Sequence, residues 1–148
     1  MFSHEEQMNS MAPIAALMAD HEQGPFRMII VDSVIALFRT EFSGRGELLE
    51  RQQKLGQHLA CLTQIAEEFQ VAVVIVNQCM ADPSAVTVFG PVVKPVGGHV
   101  LAHASTTRLM LKKGKGDQRI ATIFDSPLMP EGETTFVITN GGIADLEE

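Results

Sequence analysis

Met28-Ile29-Ile30-Val31-Asp32 and Val71-Ala72-Val73-Val74-Ile75-Val76-Asn77-Gln78 are the two stretches that decide the fold of this chain. Short, uninterrupted apolar runs of this kind are typical of strands that are buried on both faces of a parallel sheet. Between them, apolar residues recur at helical spacing over about 46–69, which predicts a long amphipathic helix. A strand, a crossover helix and a second strand form a right-handed βαβ unit. The sequence therefore predicts an α/β fold that contains a parallel sheet.

The residues before this unit predict a helix, and the residues after it predict antiparallel strands. Residues 4–22 carry apolar side chains at near-helical spacing and include Pro13, which can divide a helix. Residues 79–98 contain three prolines and are predicted to form a long loop. Three antiparallel strands are predicted at 106–113, 118–125 and 134–139. The predicted architecture is an open α/β sheet with parallel strands and flanking helices, followed by antiparallel strands.

Composition and charge exclude some functions and leave others open. The 148 residues carry 18 acidic and 11 basic side chains, for a net charge of −7. No apolar run approaches the roughly 20 residues of a membrane-spanning helix, so a membrane is excluded as a partner. The two cysteines lack C-x-x-C spacing, which argues against both a disulfide scaffold and a zinc site and favours a reducing intracellular compartment.

Positive charge is concentrated in one part of this acidic chain. Residues 94–119 contain six cations and one acid, Asp117; the cations are Lys94, Arg108, Lys112, Lys113, Lys115 and Arg119. A polyanion responds to the field within about 10 Å more than to the total charge. The net charge is therefore compatible with a nucleic-acid partner. A solvated basic hairpin is the alternative interpretation of the cluster.

Polar residues follow both predicted strands at the edge where open α/β sheets bind their ligands. Asp32 is a candidate Walker B acid, which holds Mg²⁺, often through water. The alternative is an acid that only caps the end of a strand. Gln78 lies in the equivalent layer and could contact a γ-phosphate or orient a water molecule. Its alternative is a glutamine that merely ends a strand.

The order of the motifs along the chain closely resembles the ATPase core of the eukaryotic RecA-type strand-exchange recombinases. In order, the motifs are the strand that ends in Asp32, the loop Ser43-Gly44-Arg45-Gly46-Glu47, the long helix, Asn77-Gln78, the proline-containing segment, and Gly97-Gly98-His99 followed by His103. Ala36-Leu37-Phe38-Arg39, Ala81-Asp82-Pro83 and Gly97-Gly98-His99 are most similar to the meiosis-specific member of that family. The resemblance implies that residues 1–148 are the C-terminal portion of a RecA-like P-loop NTPase core.

The resemblance implies two DNA-binding segments. Arg39 and Arg45, together with Gly44 and Gly46, match the first DNA-binding loop of the family. Residues from about 79 to 96, which include Asp82 and Pro83, match the second. In this family both loops face the filament axis, in agreement with the cationic groove that single-strand binding requires. A solvated loop cation is the alternative for Arg45.

The resemblance also implies ATP and Mg²⁺ as cofactors. Asp32 would hold the magnesium ion through water, with Ser33 beside it at the nucleotide. Gln78 would sense the γ-phosphate and transmit its state to the second DNA-binding segment. Asp32 and Gln78 would then be the catalytic residues of this portion of the core.

A further group of residues matches the family's contact with the nucleotide of a neighbouring protomer. His103 would reach that nucleotide, and a core histidine is the alternative for it. Lys94 and Pro95 match the segment that caps the nucleotide. This segment, residues 90–95, departs from the family pattern because it lacks an acidic residue and has one lysine fewer.

The function implied by the resemblance is ATP-dependent strand exchange in meiotic homologous recombination and DNA repair. Such a nuclear protein forms filaments on single-stranded DNA and pairs it with double-stranded DNA. The sequence contains no G-x-x-x-x-G-K-[ST], so the P-loop and the N-terminal domain of the family would lie upstream of Met1. The alternative is a non-catalytic DNA-binding or interaction fragment. Without the P-loop strand, apolar sheet surface should stay uncovered, and the chain should be marginally stable and tend to associate.

Overall fold

The computed structural model describes the backbone of residues 3–42, 44, 46–87 and 90–146, and the side chains of all of these except 82–87, 90 and 91. The chain divides into two compact units, Met1–Ala104 and Ser105–Glu148. The first contains α1 (His4–Asn9), α2 (Met11–Ala19), a 3₁₀ turn (His21–Gln23), β1 (Met28–Asp32), α3 (Ala36–Glu41), α4 (Leu48–Phe69), β2 (Ala72–Val76), β3 (Cys79–Thr87), β4 (Gly90–Pro95) and α5 (Gly98–Ala104). The second contains β5 (Arg108–Lys113), β6 (Gln118–Asp125), β7 (Gly132–Thr139) and β8 (Gly142–Asp145).

The predicted N-terminal helix is divided, but the break is at Ser10 and not at Pro13. The Ser3 hydroxyl caps α1 by accepting a hydrogen bond from the Glu6 amide at 3.1 Å. Ser10 ends α1 and begins α2, and its carbonyl accepts from Ile14 at 3.1 Å. Pro13 is the third residue of α2, where the amide it lacks would have no partner within the helix. The proline therefore stands at the start of a helix instead of interrupting one.

The predicted βαβ unit is confirmed. Strands β1 and β2 pair in parallel, from Met28 opposite Ala72 to Asp32 opposite Val76. Helix α4 connects α3 to β2 and begins at Leu48, two residues after the predicted start. It ends at Phe69, and the C-cap residue Gln70 adopts the left-handed conformation with a φ of 53°. The pairing continues beyond β1, because the Val34 amide donates to the Val76 carbonyl at 3.0 Å.

Helices α2 and α4 cover one face of this two-stranded sheet. The residues that α2 and α4 bury there are Met11, Leu62 and Ile65, and the strand residues packed on them are Ile29, Val31, Val73 and Ile75. A second cluster joins α3, α4 and α5; its buried members are Val34, Ile35, Phe38, Leu55, Leu59 and Leu101. Apolar burial on this scale is the main term that holds the first unit together.

The other face of the β1–β2 sheet is exposed, so the expectation of burial on both faces is wrong for the described residues. Met28 is 52% exposed, Ile30 65%, Val74 42% and Val76 40%. The reason is that α2 and α4 both pack on the side that carries Ile29 and Ile75. The exposed face agrees with the expectation of uncovered apolar surface.

The predicted loop over 79–98 is also wrong, because most of it forms an antiparallel hairpin. Strands β3 and β4 pair from Cys79 opposite Pro95 to Thr87 opposite Gly90, with an irregularity between Asp82 and Val86. A two-stranded ribbon has only edge strands, and edge strands and bulges are where proline is tolerated. The prolines that predicted a loop therefore fit within the hairpin, and Gly98–Ala104 then forms the unpredicted α5.

The second unit is an antiparallel sheet in the order β5-β6-β7-β8. The three predicted strands are confirmed, and β8 was not predicted although Asn140-Gly141 before it is a hairpin signal. None of the described residues of this unit is among the buried hydrophobic residues, and Leu109 and Leu111 are 63% and 66% exposed. No helix in the described part of the chain is long and apolar enough to span a membrane.

One buried polar pair lies within the helical layer of the first unit. His58 on α4 is fully buried, and its Nε2 lies 3.1 Å from Nε2 of Gln7 on α1. Because the amide nitrogen of Gln7 can only donate, Nε2 of His58 is the acceptor. The proton of the neutral His58 ring is therefore on Nδ1. That Nδ1 is buried without a partner among the described residues, and the ring lies 6.0 Å from the ring of Phe38. Burial lowers the pKa of His58.

We predict that His58 makes the chain less stable in mild acid. Below about pH 6.5 the unfolded chain takes up a proton at His58 that the folded chain resists, so folding stability is lost as the pH falls through that value. Urea unfolding at pH 7.5 and 5.5 should show a smaller loss for His58→Gln than for the unsubstituted chain. The exposed His21→Gln is the matched control and should keep the full loss. Equal losses in all three would contradict this prediction.

We also predict that the exposed face of β1 and β2 causes association of the isolated chain. Ile30→Lys should lower the average mass measured by sedimentation velocity, because charged residues on an open sheet face or edge oppose pairing. Thr134→Lys makes the same charge change at an exposed position of β7 and should leave association unchanged. A monodisperse monomer of the unsubstituted chain would show that this face is not adhesive.

Candidate nucleotide and nucleic-acid site

Asp32 and Ser33 lie at the carboxyl end of β1 and are joined by a cis peptide bond. The Asp32 side chain is exposed and forms no ion pair within the described ranges. The Ser33 hydroxyl oxygen is buried and has no described hydrogen-bond partner. An uncompensated carboxylate beside an unsatisfied hydroxyl suits Mg²⁺, which prefers oxygen ligands and keeps several of its waters. These residues therefore fit a magnesium ion held largely through water.

Gln78 connects three elements at this edge of the sheet. Its side-chain oxygen accepts a hydrogen bond from Nη1 of Arg39 on α3 at 2.6 Å. Its backbone amide donates to Oδ1 of Asn77 at 2.8 Å, and its carbonyl accepts from the Val96 amide at 2.9 Å. Nδ2 of Asn77 donates to the Val96 carbonyl at 2.7 Å. The end of β2, the end of the hairpin and α3 are thus joined at one junction.

The end of α3 is anchored to α1. The Glu41 carboxylate accepts from the backbone amide of His4 at 2.6 Å and from Nδ1 of His4 at 2.5 Å. These hydrogen bonds hold the pKa of Glu41 below its usual value. The His4 ring also contacts Phe38 and Phe42, with centroids 5.6 and 4.9 Å away. The chain therefore enters the following loop from a fixed position.

The loop after α3 has a defined exit as well. The Gly44 amide donates to Oε2 of Glu47 at 2.7 Å, and a Cβ at Gly44 would lie 2.9 Å from that carboxylate. Gly46 has a φ of 102°, which side chains other than glycine rarely adopt. Both predicted glycines thus have a local structural reason. Arg45 lies outside the described residues, so its role stays a prediction.

The remaining predicted residues lie on the hairpin and α5. Asp82 and Pro83 are in β3, but their side chains are outside the described set, and their DNA-binding role also stays a prediction. Lys94 and Pro95 end β4, where they pair with Met80 and Cys79.

His103 is exposed on α5, which contradicts the alternative of a core histidine. Its ring lies over that of His99, with centroids 6.2 Å apart. In the described part of the chain, no group of three or more metal-ligating side chains comes together. Asp32 therefore remains the candidate metal ligand, with water completing the coordination.

The basic cluster is only partly available to a ligand. Nη1 of Arg119 donates to the carbonyls of Gln118 and Gly116 at 2.7 and 3.3 Å. The Arg108 guanidinium lies 3.7 Å from the Asp125 carboxylate and 4.8 Å from the centre of the Phe124 ring. Lys112, Lys113 and Lys115 are exposed around the β5–β6 turn. Of the cations in this unit, Arg108 is paired with a carboxylate, so the field that a polyanion would meet here comes from the three lysines and Arg119.

The sequence predicts Asp32, Gln78 and Arg39 as site residues but does not indicate the residues that position them. Asn77 is predicted only to end a strand, and no role is predicted for Glu41 or His4. Glu47 follows Gly44 by three residues, a spacing that occurs where a side chain caps the start of a helix. The contact between Glu41 and His4 has no such local signal, because the two residues are far apart along the chain.

Comparison with known proteins identifies relatives over nearly the whole chain. Residues 1–146 match the family model described as Rad51. The chain is 58% identical over 147 residues to "Meiotic recombination protein DMC1 homolog A" of Oryza sativa subsp. indica, 55% over 148 residues to "Meiotic recombination protein DMC1/LIM15 homolog" of Homo sapiens, and 52% over 147 residues to the "Meiotic recombination protein DMC1 homolog" of Arabidopsis thaliana. Each alignment covers 99% of this chain but only 42–43% of the relative. The predicted resemblance and the RecA-like fold class are thereby confirmed.

Proposed function

Because the chain belongs to the Rad51 family, we propose that it is the C-terminal part of the ATPase core of a meiotic recombinase. Such a protein assembles into filaments on single-stranded DNA, pairs it with a homologous duplex and exchanges strands in an ATP-dependent manner. The names of the relatives support the meiotic role, since each is a "Meiotic recombination protein". A role on meiotic chromosomal DNA also supports the nucleus as its location.

The junction at Gln78 is the observation that carries this proposal. Asp32 and the end of β2 lie at the same edge of the sheet, because Asp32 pairs in parallel with Val76. From this edge the chain leads into α3 and the first proposed DNA segment, and into the hairpin that is the second. Hydrogen bonds from Arg39 and Val96 attach both segments to Gln78. A nucleotide at this edge would therefore contact the residue to which both DNA segments are joined.

ATP and Mg²⁺ are the proposed cofactors. When bound, the magnesium nucleotide supplies the free energy of hydrolysis that makes DNA binding reversible. Asp32 would hold the magnesium ion through water, and Ser33 would contribute its unsatisfied hydroxyl. Gln78 would report the state of the nucleotide to its two attached segments. His103, Lys94 and Pro95 are proposed to face the nucleotide of a neighbouring protomer, as the family pattern implies.

DNA is proposed to be held by its phosphates. Arg39 and Arg45 carry the positive charge that phosphate oxygens attract, and contacts to phosphate position a protein on DNA without reading its sequence. Gly44 and Gly46 allow the backbone to approach closely, and Asp82 and Pro83 belong to the second DNA segment. Homology would then be recognised by base pairing between strands. Binding should accordingly depend on salt and little on sequence.

A non-catalytic DNA-binding fragment is the second candidate function. It is favoured by the sequence, in which G-x-x-x-x-G-K-[ST] does not occur in the 148 residues. The two candidates share the DNA-binding surface and differ in turnover. DNA-stimulated release of phosphate from ATP by the purified chain would support the first, and DNA binding without turnover would support the second.

We predict that Arg45→Ala weakens the binding of single-stranded DNA. Fluorescence anisotropy with a labelled oligothymidine and a mixed-sequence oligonucleotide should show the same loss for both. The slope of log K against log salt should become shallower by about 0.7 for each phosphate contact removed. Arg27→Ala removes the same charge at the amino end of β1, away from the proposed site, and should change neither quantity. Unchanged binding in Arg45→Ala would remove the first loop from the proposed DNA surface.

We predict that Asp32→Asn impairs magnesium-dependent nucleotide binding and leaves the fold intact. Asparagine keeps the shape of the exposed side chain but removes the charge that attracts the metal ion. Titration with a fluorescent ATP analogue, with and without Mg²⁺, should show that the variant gains little from magnesium. Glu67→Gln makes the same chemical change at an exposed position of α4 and should behave like the unsubstituted chain. Full magnesium dependence in Asp32→Asn would dismiss the metal assignment.

A further inference from the structure

Helix α5 presents two histidines to solvent one turn apart. His99 and His103 are both exposed, and their rings are inclined by only 26° with centroids 6.2 Å apart. Side chains at positions i and i+4 of a helix are neighbours on one face. In the described part of the chain, no hydrogen bond or ion pair engages either ring. The ring nitrogens of both histidines are therefore available to a ligand.

The opposite face of α5 is packed into the core of the first unit. Leu101 is 5% exposed and lies in the same buried cluster as Leu55 and Leu59 of α4. Val100 packs against that cluster, and a Cβ at Gly56 of α4 would lie 3.6 Å from its Cγ1 atom. This packing fixes the rotation of α5 about its axis. The two histidines are thus held on the outer face without a ligand, so binding would require little ordering of the backbone.

Two imidazoles at this spacing can bind one metal ion together. Zn²⁺ lies about 2.0–2.1 Å from a histidine nitrogen, so a shared ion needs the two nitrogens about 3 Å apart. Rotation about the side-chain torsions brings the rings to that spacing, and the exposure of both side chains permits it. Histidines at i and i+4 of a helix hold zinc in this way in the metalloproteases with the H-E-x-x-H motif.

The ligand type selects the metal. Imidazole suits zinc, copper and nickel, whereas Mg²⁺ and Ca²⁺ prefer oxygen ligands. The histidine pair therefore differs in chemistry from Asp32 and Ser33, whose oxygens fit magnesium. No third metal-ligating side chain joins the pair within the described ranges. Water would complete the coordination.

We propose that His99 and His103 form a two-histidine binding site for Zn²⁺ on the outer face of α5. Each ring would contribute one nitrogen, and water would occupy the remaining positions around the ion. The site goes beyond the proposed function and needs neither a nucleotide nor DNA. Its failure would therefore leave that proposal standing, and the failure of that proposal would leave the site standing.

Titration calorimetry of the full chain with zinc chloride, in millimolar Mg²⁺, tests this site and should show one ion per chain. His99→Gln and His103→Gln each remove one ligand. Each should weaken zinc binding about 100-fold, because the second imidazole of a shared ion binds within the same molecule. The double variant should bind no more weakly than either single variant by more than a few-fold. His21→Gln removes an exposed imidazole outside α5 and is the matched control, with unchanged binding.

Two further measurements distinguish metal ligation from an indirect effect on the fold. His103→Cys replaces one zinc ligand with another, so under reducing conditions it should recover the binding that His103→Gln loses. In nuclear magnetic resonance spectra, zinc should shift the ring signals of His99 and His103 together. The ring signals of His4, His21 and His58 should stay in place. Circular dichroism checks that each variant is folded.

Several outcomes would overturn the site. Absence of zinc binding by the unsubstituted chain is the first. Single variants that retain the affinity and lose only half of the stoichiometry would show two independent imidazoles and no shared ion. Displacement of the zinc by millimolar Mg²⁺ would indicate oxygen ligands instead. Shifts confined to another histidine would place the ion elsewhere in the chain.

Discussion

The parallel pairing of β1 with β2 is the constraint on which the rest of the first unit depends. It brings Asp32 level with Val76, and the bond from the Val34 amide to the Val76 carbonyl keeps the chain against β2 beyond the strand end. As a result, α3 and the hairpin both leave the sheet at the edge that carries Asp32. In this register Arg39 reaches Gln78. A slip of one residue would turn every side chain of β1 to the other face and separate the two.

The strands and α4 could be predicted from the sequence because their apolar patterns are long and regular. The burial of the two faces of β1 could not be predicted in the same way. An apolar run shows which side chains favour burial, but it does not show which elements are present to cover them. Ile29 and Ile30 are equally apolar neighbours, yet the first packs under α2 and α4 and the second is 65% exposed. The hairpin at 79–95 differs from the predicted loop for another reason. Three prolines in one segment predict a loop, although a two-stranded ribbon accommodates them at its edges.

The candidate site also combines residues that the sequence predicts with contacts that it does not predict. Asp32 and Gln78 were predictable, since each follows an apolar strand and the ends of parallel strands meet at one edge. Their surroundings depend on contacts between distant parts of the chain. The bond from Arg39 to Gln78 requires a particular rotation of α3, and that rotation is set by Phe38 in the core and by Glu41 on His4. Helix α3 has six residues, too few for periodicity to indicate which of its faces is buried.

Counting charges along the sequence also misjudges which cations are available to a polyanion. The cluster at 94–119 has the highest density of positive charge, but Arg108 is engaged by Asp125 and Phe124, and Arg119 is bonded to two backbone carbonyls. Among the described residues, the side chain of Arg39 has one hydrogen bond, to the Gln78 amide oxygen, at the edge of the sheet that carries Asp32. A phosphate that displaced the amide would exchange a neutral partner for an anionic one, whereas at Arg108 it would have to compete with a carboxylate. The availability of each arginine to a phosphate is therefore set by what its guanidinium already contacts, and not by the local sum of charge.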